Sequence, residues 1–470
     1  MSEAATTPCP QCLILQQQLQ ALQQQVQDLQ ATVAKLQTQL AAKNKNSSTS
    51  SKPPSSDLVK PPGTTDSPRA AGGQPGHPHH QRALFPPEAI NGGCHDHQLP
   101  ACPCCGHDLL SLGTPPRIVQ QLDIQDIPLQ IQEHRSFAGW CPQCDVVHHA
   151  PLPLGIERGG LVGPRLTTLI AYLKGACHAS YSTIRKFLRD IVGVPISRGQ
   201  LSKIVGKVSA ALEQPYEELL RLLPDQAALN VDETGHKNNG ERWWTWCFRA
   251  SLYTLFKIDP TRSGDVLLTV LGEEFDGVLG CDYFSAYRRY MRECSVTVQF
   301  CLAHLIREVR FLTTLPDRAE RAYGERLVEA FKELFGVIHQ RESLPEKAFA
   351  KALSAARQQV LRVGMEAVPS GKHSQNLAQR FKKHGESYFR FVTTPGVEPT
   401  NNVAEQAIRF VVIDRHITQG TRSQGGRQWC ERIWTVLATC VQRGRSVFEY
   451  LREAVAAHFG GEAAPSLLGN

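Results

Sequence analysis

Between residues 227 and 304 five runs rich in β-branched and aromatic residues, AALNVDETG, RWWTWCFRA, YTLFKID, DGVLGCDY and VTVQF, follow one another in an order that admits few folds. The first three are separated only by turn residues, as in an antiparallel meander. The last two are each reached through helical sequence, as in parallel crossovers. The expected result is an α/β domain with a mixed sheet flanked by helices. Asp232 ends the first run and Asp282 the fourth, at strand ends beside helices, where open α/β sheets gather their chemistry. If these strands pair, the two carboxylates come within reach of shared cations. Like charges held close raise a pKa or bind metal. Mg²⁺ takes carboxylate and water oxygens, and two ions about 4 Å apart activate an attacking oxygen and stabilise a leaving one in phosphodiester chemistry. Taken singly, each aspartate reads as a turn residue, so the pair needs a third acid.

Glu405, in PTNNVAEQAIRF, is that candidate. It projects from the first turn of a helix, with Arg409 four residues on along the same face, suited to a phosphate. Asn402-x-x-Glu405 is also a capping-box pattern, in which the glutamate only returns a hydrogen bond to the cap. The local sequence supports both.

The remaining sequence suggests several parts. At roughly 150 residues per domain, 470 residues make about three folded units plus tails. No apolar run approaches the roughly 18 residues of a membrane span, so a membrane protein is not expected. The start, MSEAATTPCPQC, has no basic segment leading into an apolar run, which points to a reducing compartment, the cytoplasm. Lys plus Arg exceeds Asp plus Glu by 51 − 44 = 7, a basic excess compatible with a polyanionic partner and common without one.

Leu15, Leu19, Leu22, Val26, Leu29, Val33, Leu36 and Leu40 alternate steps of four and three. Valine at a and leucine at d favour a parallel two-stranded coiled coil, hence a homodimer; a lone amphipathic helix is the alternative. The stretch that follows, dominated by Ser, Pro, Gly and Thr, is expected to be a disordered linker, and His77, His79 and His80 within it a solvated tract. Cys102, Cys105, Cys141 and Cys144 form two Cys-x-x-Cys knuckles, which in a reducing compartment suit tetrahedral Zn²⁺. Cys94, Cys104 and His107 are possible substitutes and a redox pair the competing reading. Cys9 and Cys12 are open between half a zinc site and idle thiols. YSTIRKFLRDIV, GVPI and SRGQLSKIVGKVSAAL have a helix-turn-helix layout, with Ser197 as cap and Arg198, Gln200 and Lys203 where base-reading side chains would project. A helical hairpin that binds nothing is the plainer alternative. The expected organisation is 1–43 Cys pair and coiled coil, 44–93 linker, 94–155 zinc domain, 156–223 helix-turn-helix-like segment, 224–460 catalytic domain and 461–470 tail.

The coiled coil, KNSSTSSKPPSSD, GGQPGHP, CPCCGHDL with CPQC, VDETG, CDYFSAY, CLAHLIRE and TNNVAEQAIR, in that order, resemble the transposases of the insertion-sequence-66 (IS66) family over almost the whole chain. The resemblance implies an RNase H-like catalytic domain with an Asp-Asp-Glu triad, here Asp232, Asp282 and Glu405, holding Mg²⁺ or Mn²⁺. It also implies a structural zinc-finger-like domain and a helical insertion at about 305–394. Basic residues there, including Arg307, Arg310, Lys372, Arg380, Lys382 and Lys383, suit phosphate contacts. His304 and Arg307 match the family's Cys-x-x-His-x-x-Arg element and are expected to support the site without ligating metal, with core packing the alternative; Arg409 is grouped with them. The Gly-rich basic stretch RHITQGTRSQGGRQ after Glu405 is expected to close over DNA. The implied partners are DNA, both the element's terminal inverted repeats and target DNA, and accessory proteins of the same element, at the bacterial nucleoid. The rivals are a structure-selective nuclease of the same fold and a non-catalytic dimeric zinc-containing regulator. Two features depart from commoner members: ETGHKNNGERWWTWCF after the first aspartate, and the Cys9/Cys12 pair.

Overall fold

The computed structural model describes residues 10–43 and 131–469 except 142 and 144, together with residues 45, 49, 84, 86–89 and 104. Of the expected zinc ligands, Cys102, Cys105 and Cys144 lie outside the described residues, as does the side chain of Cys141. Cys9 and the side chain of Cys12 also lie outside them, as does nearly all of the expected linker. Residues 62–132 group apart; the elements below belong to the unit formed by residues 1–61 and 133–470.

Helix α1, Pro10–Lys43, carries the heptad stripe, and Leu15 through Leu40 stand 50–64% exposed along it. A hairpin follows, β1 Ala138–Cys141 and β2 Val146–His149, with Cys141 opposite Val146, so the second Cys-x-x-Cys begins at a strand end.

Next come α2 Leu154–Gly159, α3 Pro164–Gly175, α4 Tyr181–Phe187, α5 Arg198–Ala211 and α6 Glu213–Arg221. One π turn extends α4 before Gly193, at φ +78°, ends it, and the Ser197 hydroxyl accepts the Gln200 N–H at 3.2 Å to start α5. The two-helix layout is therefore present.

The sheet contains β3 Ala228–Asn238, β4 Glu241–Arg249, β5 Thr254–Asp259, β6 Val278–Cys281 and β7 Thr297–Phe300, in the order β5-β4-β3-β6-β7. The first three form the antiparallel meander, and β6 and β7 add in parallel beside β3. Asn239 and Gly240, at φ +53° and +85°, make the two-residue turn that a β3–β4 hairpin demands. The crossovers are α7 Gly264–Leu271 and α8 Ser285–Glu293. After β7 the chain runs through α9 Leu302–Leu312, α10 Arg318–His339, α11 Glu346–Met365, α12 Lys372–Tyr388 and α13 Arg390–Thr393, then returns as α14 Asn402–Thr418, α15 Gln424–Gln442 and α16 Val447–Gly460.

Helix α15 closes the sheet's β5 edge with side chains. Glu431, Thr435 and Thr439, each one turn apart, accept the backbone N–H groups of Ile258, Phe256 and Thr254 at 2.6, 3.0 and 3.2 Å. An open edge invites pairing with another strand; here its donors are already satisfied. The helices before the sheet share its core: Leu201, Ile204, Val205 and Val208 of α5 are buried in the same cluster as Ile433 and Val436 of α15 and Leu451 and Val455 of α16. A Cβ on Gly175 would lie 2.5 Å from Ile433, so only glycine lets α3 approach α15 this closely. Arg432, 7% exposed, ties α15 to the Ser209 carbonyl at 2.9 Å and to Glu213. Residues 156–223 and the sheet domain are thus one packed body.

Candidate active site

The site starts from register. Asn230 pairs with Gly280 across the parallel β3–β6 ladder. Two residues further along each chain stand Asp232, on β3, and Asp282, one residue past the end of β6 (232 − 230 = 2; 282 − 280 = 2), so the register carried forward from that pair brings both to the same end of adjoining strands. Alternation then divides β3. Asn230, Asp232 and Thr234 face α14, whereas Glu233 faces α8 from the opposite side.

Asn401, 1% exposed, fixes the start of α14. Its side-chain amide donates to the Val231 carbonyl at 2.8 Å and its side-chain oxygen accepts from Asn230 at 2.9 Å, while its backbone N–H meets Cys301 Sγ at 3.2 Å. Gly280 makes room for this arrangement, since a Cβ there would lie 2.5 Å from Asn230 Nδ2. Further along α14, Arg415 donates to Thr234 Oγ1 at 3.1 Å and to the Gly235 carbonyl. The helix carrying Glu405 is thereby fastened to the strand carrying Asp232 at two levels.

The capping-box alternative for Glu405 is not what forms. Asn401 is the cap residue, no side chain caps the helix, and Glu405 lies one position too late to serve the box. Its carboxylate instead faces α9, 3.6 Å from His304 Nδ1 and 3.8 Å from Arg307 Nη2, with Oε1 buried and without a hydrogen-bond partner. Burial and the Arg307 charge push His304 down to about 4, so its imidazole is neutral near pH 7.

The acids feel one another. Burial, then the charges of Glu233, Asp282 and Glu405, raise the Asp232 pKa well above the usual carboxylate range; the Glu233 N–H on its Oδ1, at 3.0 Å, works the other way. Burial also raises Asp282, opposed by the Phe284 N–H at 2.8 Å and by Arg262. The three carboxylates do not share one tight point. Among the described residues, the His/Cys/Asp/Glu group with ligand atoms all within 4.8 Å of one another is Cys301, His304 and Glu405.

Sequence reasoning missed a supporting layer. Glu233 is ion-paired with Arg262, Nε to Oε1 at 2.7 Å, and accepts from the Tyr287 hydroxyl; burial and Asp282 nevertheless lift it to about 7. Arg262 also lies over the Phe284 ring at 3.9 Å, joining the two acid-bearing segments. The signals were weak: Glu233 stands inside VDETG, Tyr287 closes CDYFSAY and Asn401 lies beside the Asn read as the cap, but Arg262 sits in ordinary turn sequence.

Other expected residues fall elsewhere. Arg409 is exposed and makes no hydrogen bond or ion pair with any described residue, so of the three supporting residues only His304 and Arg307 meet Glu405. Arg198 and Lys203 are exposed and Gln200 half-buried on α5. In the insertion, Arg310, Lys372, Lys382 and Lys383 are exposed, but Arg380 turns inward to Glu308 at 2.9 Å and lies over the Tyr283 ring at 4.1 Å. The start of the Gly-rich stretch after α14 is pinned to the sheet. Thr421 bridges Asn238, its N–H meets the Lys237 carbonyl at 2.9 Å, and its hydroxyl meets His236 Nε2 at 3.0 Å. No described helix is long and apolar enough to cross a membrane.

Residues 159–428 match the family model of the IS66 transposases, and residues 100–145 match the zinc-finger binding domain of IS66 transposase, the segment holding all four expected ligands. Residues 8–83 match a family of unknown function, DUF6444. Two Sinorhizobium fredii proteins, both called uncharacterized, are similar. y4hP is 23% identical over 379 residues, covering 72% of this chain and 67% of its own length; y4qI is 24% identical over 344 residues, covering 66% and 62%. The chain thus spans about two thirds of the curated relatives it matches. With more than half of its residues inside the IS66 transposase family model and a zinc-finger match ahead of it, the chain belongs to the IS66 family of transposases.

Proposed function

We propose that this chain is a DNA transposase that binds the terminal inverted repeats of its element and carries out strand cleavage and strand transfer with Asp232, Asp282 and Glu405, on a sheet of RNase H-like order. The observation that carries this reading is that Asp232 on β3 and Asp282 just past the end of the adjoining parallel β6 lie near enough for their charges to act on one another, with a glutamate from the helix that Asn401 fastens to β3 acting on both.

The donors fit a hard divalent cation. All three are carboxylates, and the mutual repulsion that lifts Asp232 is what a cation between them relieves. Asp232 and Asp282 would hold Mg²⁺ or Mn²⁺, with Glu405 completing the set. Bound there, such an ion polarises the phosphodiester and eases deprotonation of the attacking oxygen. The chain's own groups do the positioning. Backbone N–H groups pin one oxygen of each aspartate, leaving the other free, and Arg307 and His304 hold Glu405 from behind. Arg262 offsets negative charge behind Asp282. Neither cleavage nor joining requires ATP or a covalent protein intermediate. Arg198, Gln200 and Lys203 on α5, with the zinc-finger domain, are assigned to end recognition, and α1 to pairing two subunits so that both ends are held.

The test uses labelled element ends and a target plasmid with the full chain and Asp232→Asn, Asp282→Asn and Glu405→Gln. Each variant is expected to lose cleavage and joining while retarding element-end DNA as the parent does. Joining by any of the three would refute the triad, and cleavage without joining by the parent would make the chain a nuclease.

A further inference from the structure

Cys301 caps the start of α9, and its sulfur lies against the Asn401 N–H at 3.2 Å. One turn along, His304 turns Nδ1 toward Glu405 Oε1, at 3.6 Å. That is too long for a hydrogen bond, and both atoms are buried without a hydrogen-bond partner. The thiol, the imidazole and the carboxylate each present a ligand atom within 4.8 Å of the other two. These are three donors of three kinds, drawn from two helices that Asn401 holds together.

We propose that Cys301 Sγ, His304 Nδ1 and Glu405 Oε1 form a binding site for a borderline divalent ion of the Zn²⁺ class, separate in chemistry from the all-carboxylate set although it shares Glu405. The donor set makes the choice. Sulfur and imidazole nitrogen select Zn²⁺ and its neighbours, whereas Mg²⁺ keeps to oxygen. The spacing agrees. Two nitrogen or oxygen ligands about 2.0–2.1 Å from a tetrahedral ion stand about 3.4 Å apart, close to the separation of Nδ1 and Oε1. Three protein ligands leave a fourth position for water. Binding replaces the thiol proton, which leaves to solvent, and puts the remaining imidazole proton on Nε2. That nitrogen now faces Arg307 Nη1 at 3.5 Å, so the guanidinium must turn away from it. The consequence rests on the catalytic reading above: an ion seated here takes Glu405 from Asp232 and Asp282, so Zn²⁺ opposes Mg²⁺-supported strand transfer through Cys301.

The experiment keeps binding apart from catalysis. Full-length parent, Cys301→Ser, His304→Gln and Glu405→Gln are stripped with chelator and titrated with Zn²⁺, with bound metal counted after desalting. Co²⁺ replaces Zn²⁺ in a parallel series read by its thiolate charge-transfer absorption. The zinc-finger knuckles bind in every chain, so the difference between chains is the readout. Each variant is expected to hold one equivalent fewer than the parent, and Cys301→Ser to lose part of the Co²⁺ absorption. Thermal unfolding in chelator identifies any variant that does not fold, and the remaining two then carry the comparison. Equal metal content in parent and folded variants overturns the site, even if Glu405→Gln abolishes joining. One equivalent lost from each variant with joining intact in Glu405→Gln upholds the site and overturns the triad. In the joining assay Zn²⁺ is expected to inhibit the parent in Mg²⁺ and to inhibit Cys301→Ser less; equal inhibition of both overturns the antagonism.

Discussion

Asn401 shows how much of the site depends on a side chain that does no chemistry. It satisfies the Val231 carbonyl and the Asn230 amide at once, in a place with almost no solvent access. Asn401→Ala takes the partner from the buried Val231 carbonyl and from the half-buried Asn230 amide, which costs about 1–3 kcal/mol. Urea unfolding should show a loss in that range, and strand transfer should fall further than stability does, because Glu405 loses its anchor to β3. A stability change under about 0.5 kcal/mol would mean that water replaces the amide. The three acids stand out in the sequence as candidates because each ends a recognisable run or opens a helix, in an order that the family resemblance reinforces. Asn401 was not legible. Its partner Asn230 lies 171 residues away, and an asparagine before a helix reads locally as a cap. Glu233 stayed hidden for a related reason: beside Asp232 on a strand it faces the other way, and what makes it matter, Arg262 and Tyr287, comes from other elements.

The elements themselves were mostly visible: the meander, the two parallel additions and the Ser197 cap all follow from β-rich runs and turn residues. The far end of β3 was less so, because GHKNN is polar and looks like loop. It is a strand because it pairs with β4 as far as Asn238 opposite Glu241, and the segment after α14 covers its other side, with Thr421 bridging Asn238 and His236 buried between Thr421 and Thr245. That histidine gives the latch a pH signature. Burial first, then Arg415 and Arg427, hold it down at about 4 from its ordinary 6.5. Between these values the unfolded chain takes up a proton that the folded chain refuses. The contribution is therefore complete above pH 6.5 and is lost as pH falls toward 4, by about 3 kcal/mol in full. His236→Asn should be less stable than the parent at pH 7, and the gap should narrow by about that amount by pH 4 in chemical unfolding. A gap independent of pH would show that the ring takes up its proton as readily in the fold as in the unfolded chain.

At the scale of the molecule, packing joins parts that sequence alone separates. Periodicity identified the apolar faces of the helices before the sheet but not their partners, and α3 and α5 close on α15 and α16. The proposed end-reading helix is therefore rigidly connected to the domain that holds the acids. Helix α1 is the reverse case, with its leucines half exposed along its whole length. The proposed pairing through that stripe predicts that Leu22→Glu combined with Leu29→Glu halves the mass measured by light scattering, from a dimer of 52.0 kDa chains to a monomer. An unchanged mass would move the dimer contact elsewhere. The account as a whole depends on Asp232, Asp282 and Glu405 acting together through a divalent ion, and metal rescue tests that most directly. In Asp282→Cys a thiolate stands where the carboxylate was, and Mg²⁺ refuses sulfur more strongly than Mn²⁺ does. Element-end cleavage by this variant is expected to be lost in Mg²⁺ and to return in Mn²⁺, while the parent works in both; cleavage in Mg²⁺ at the parental rate would contradict the account.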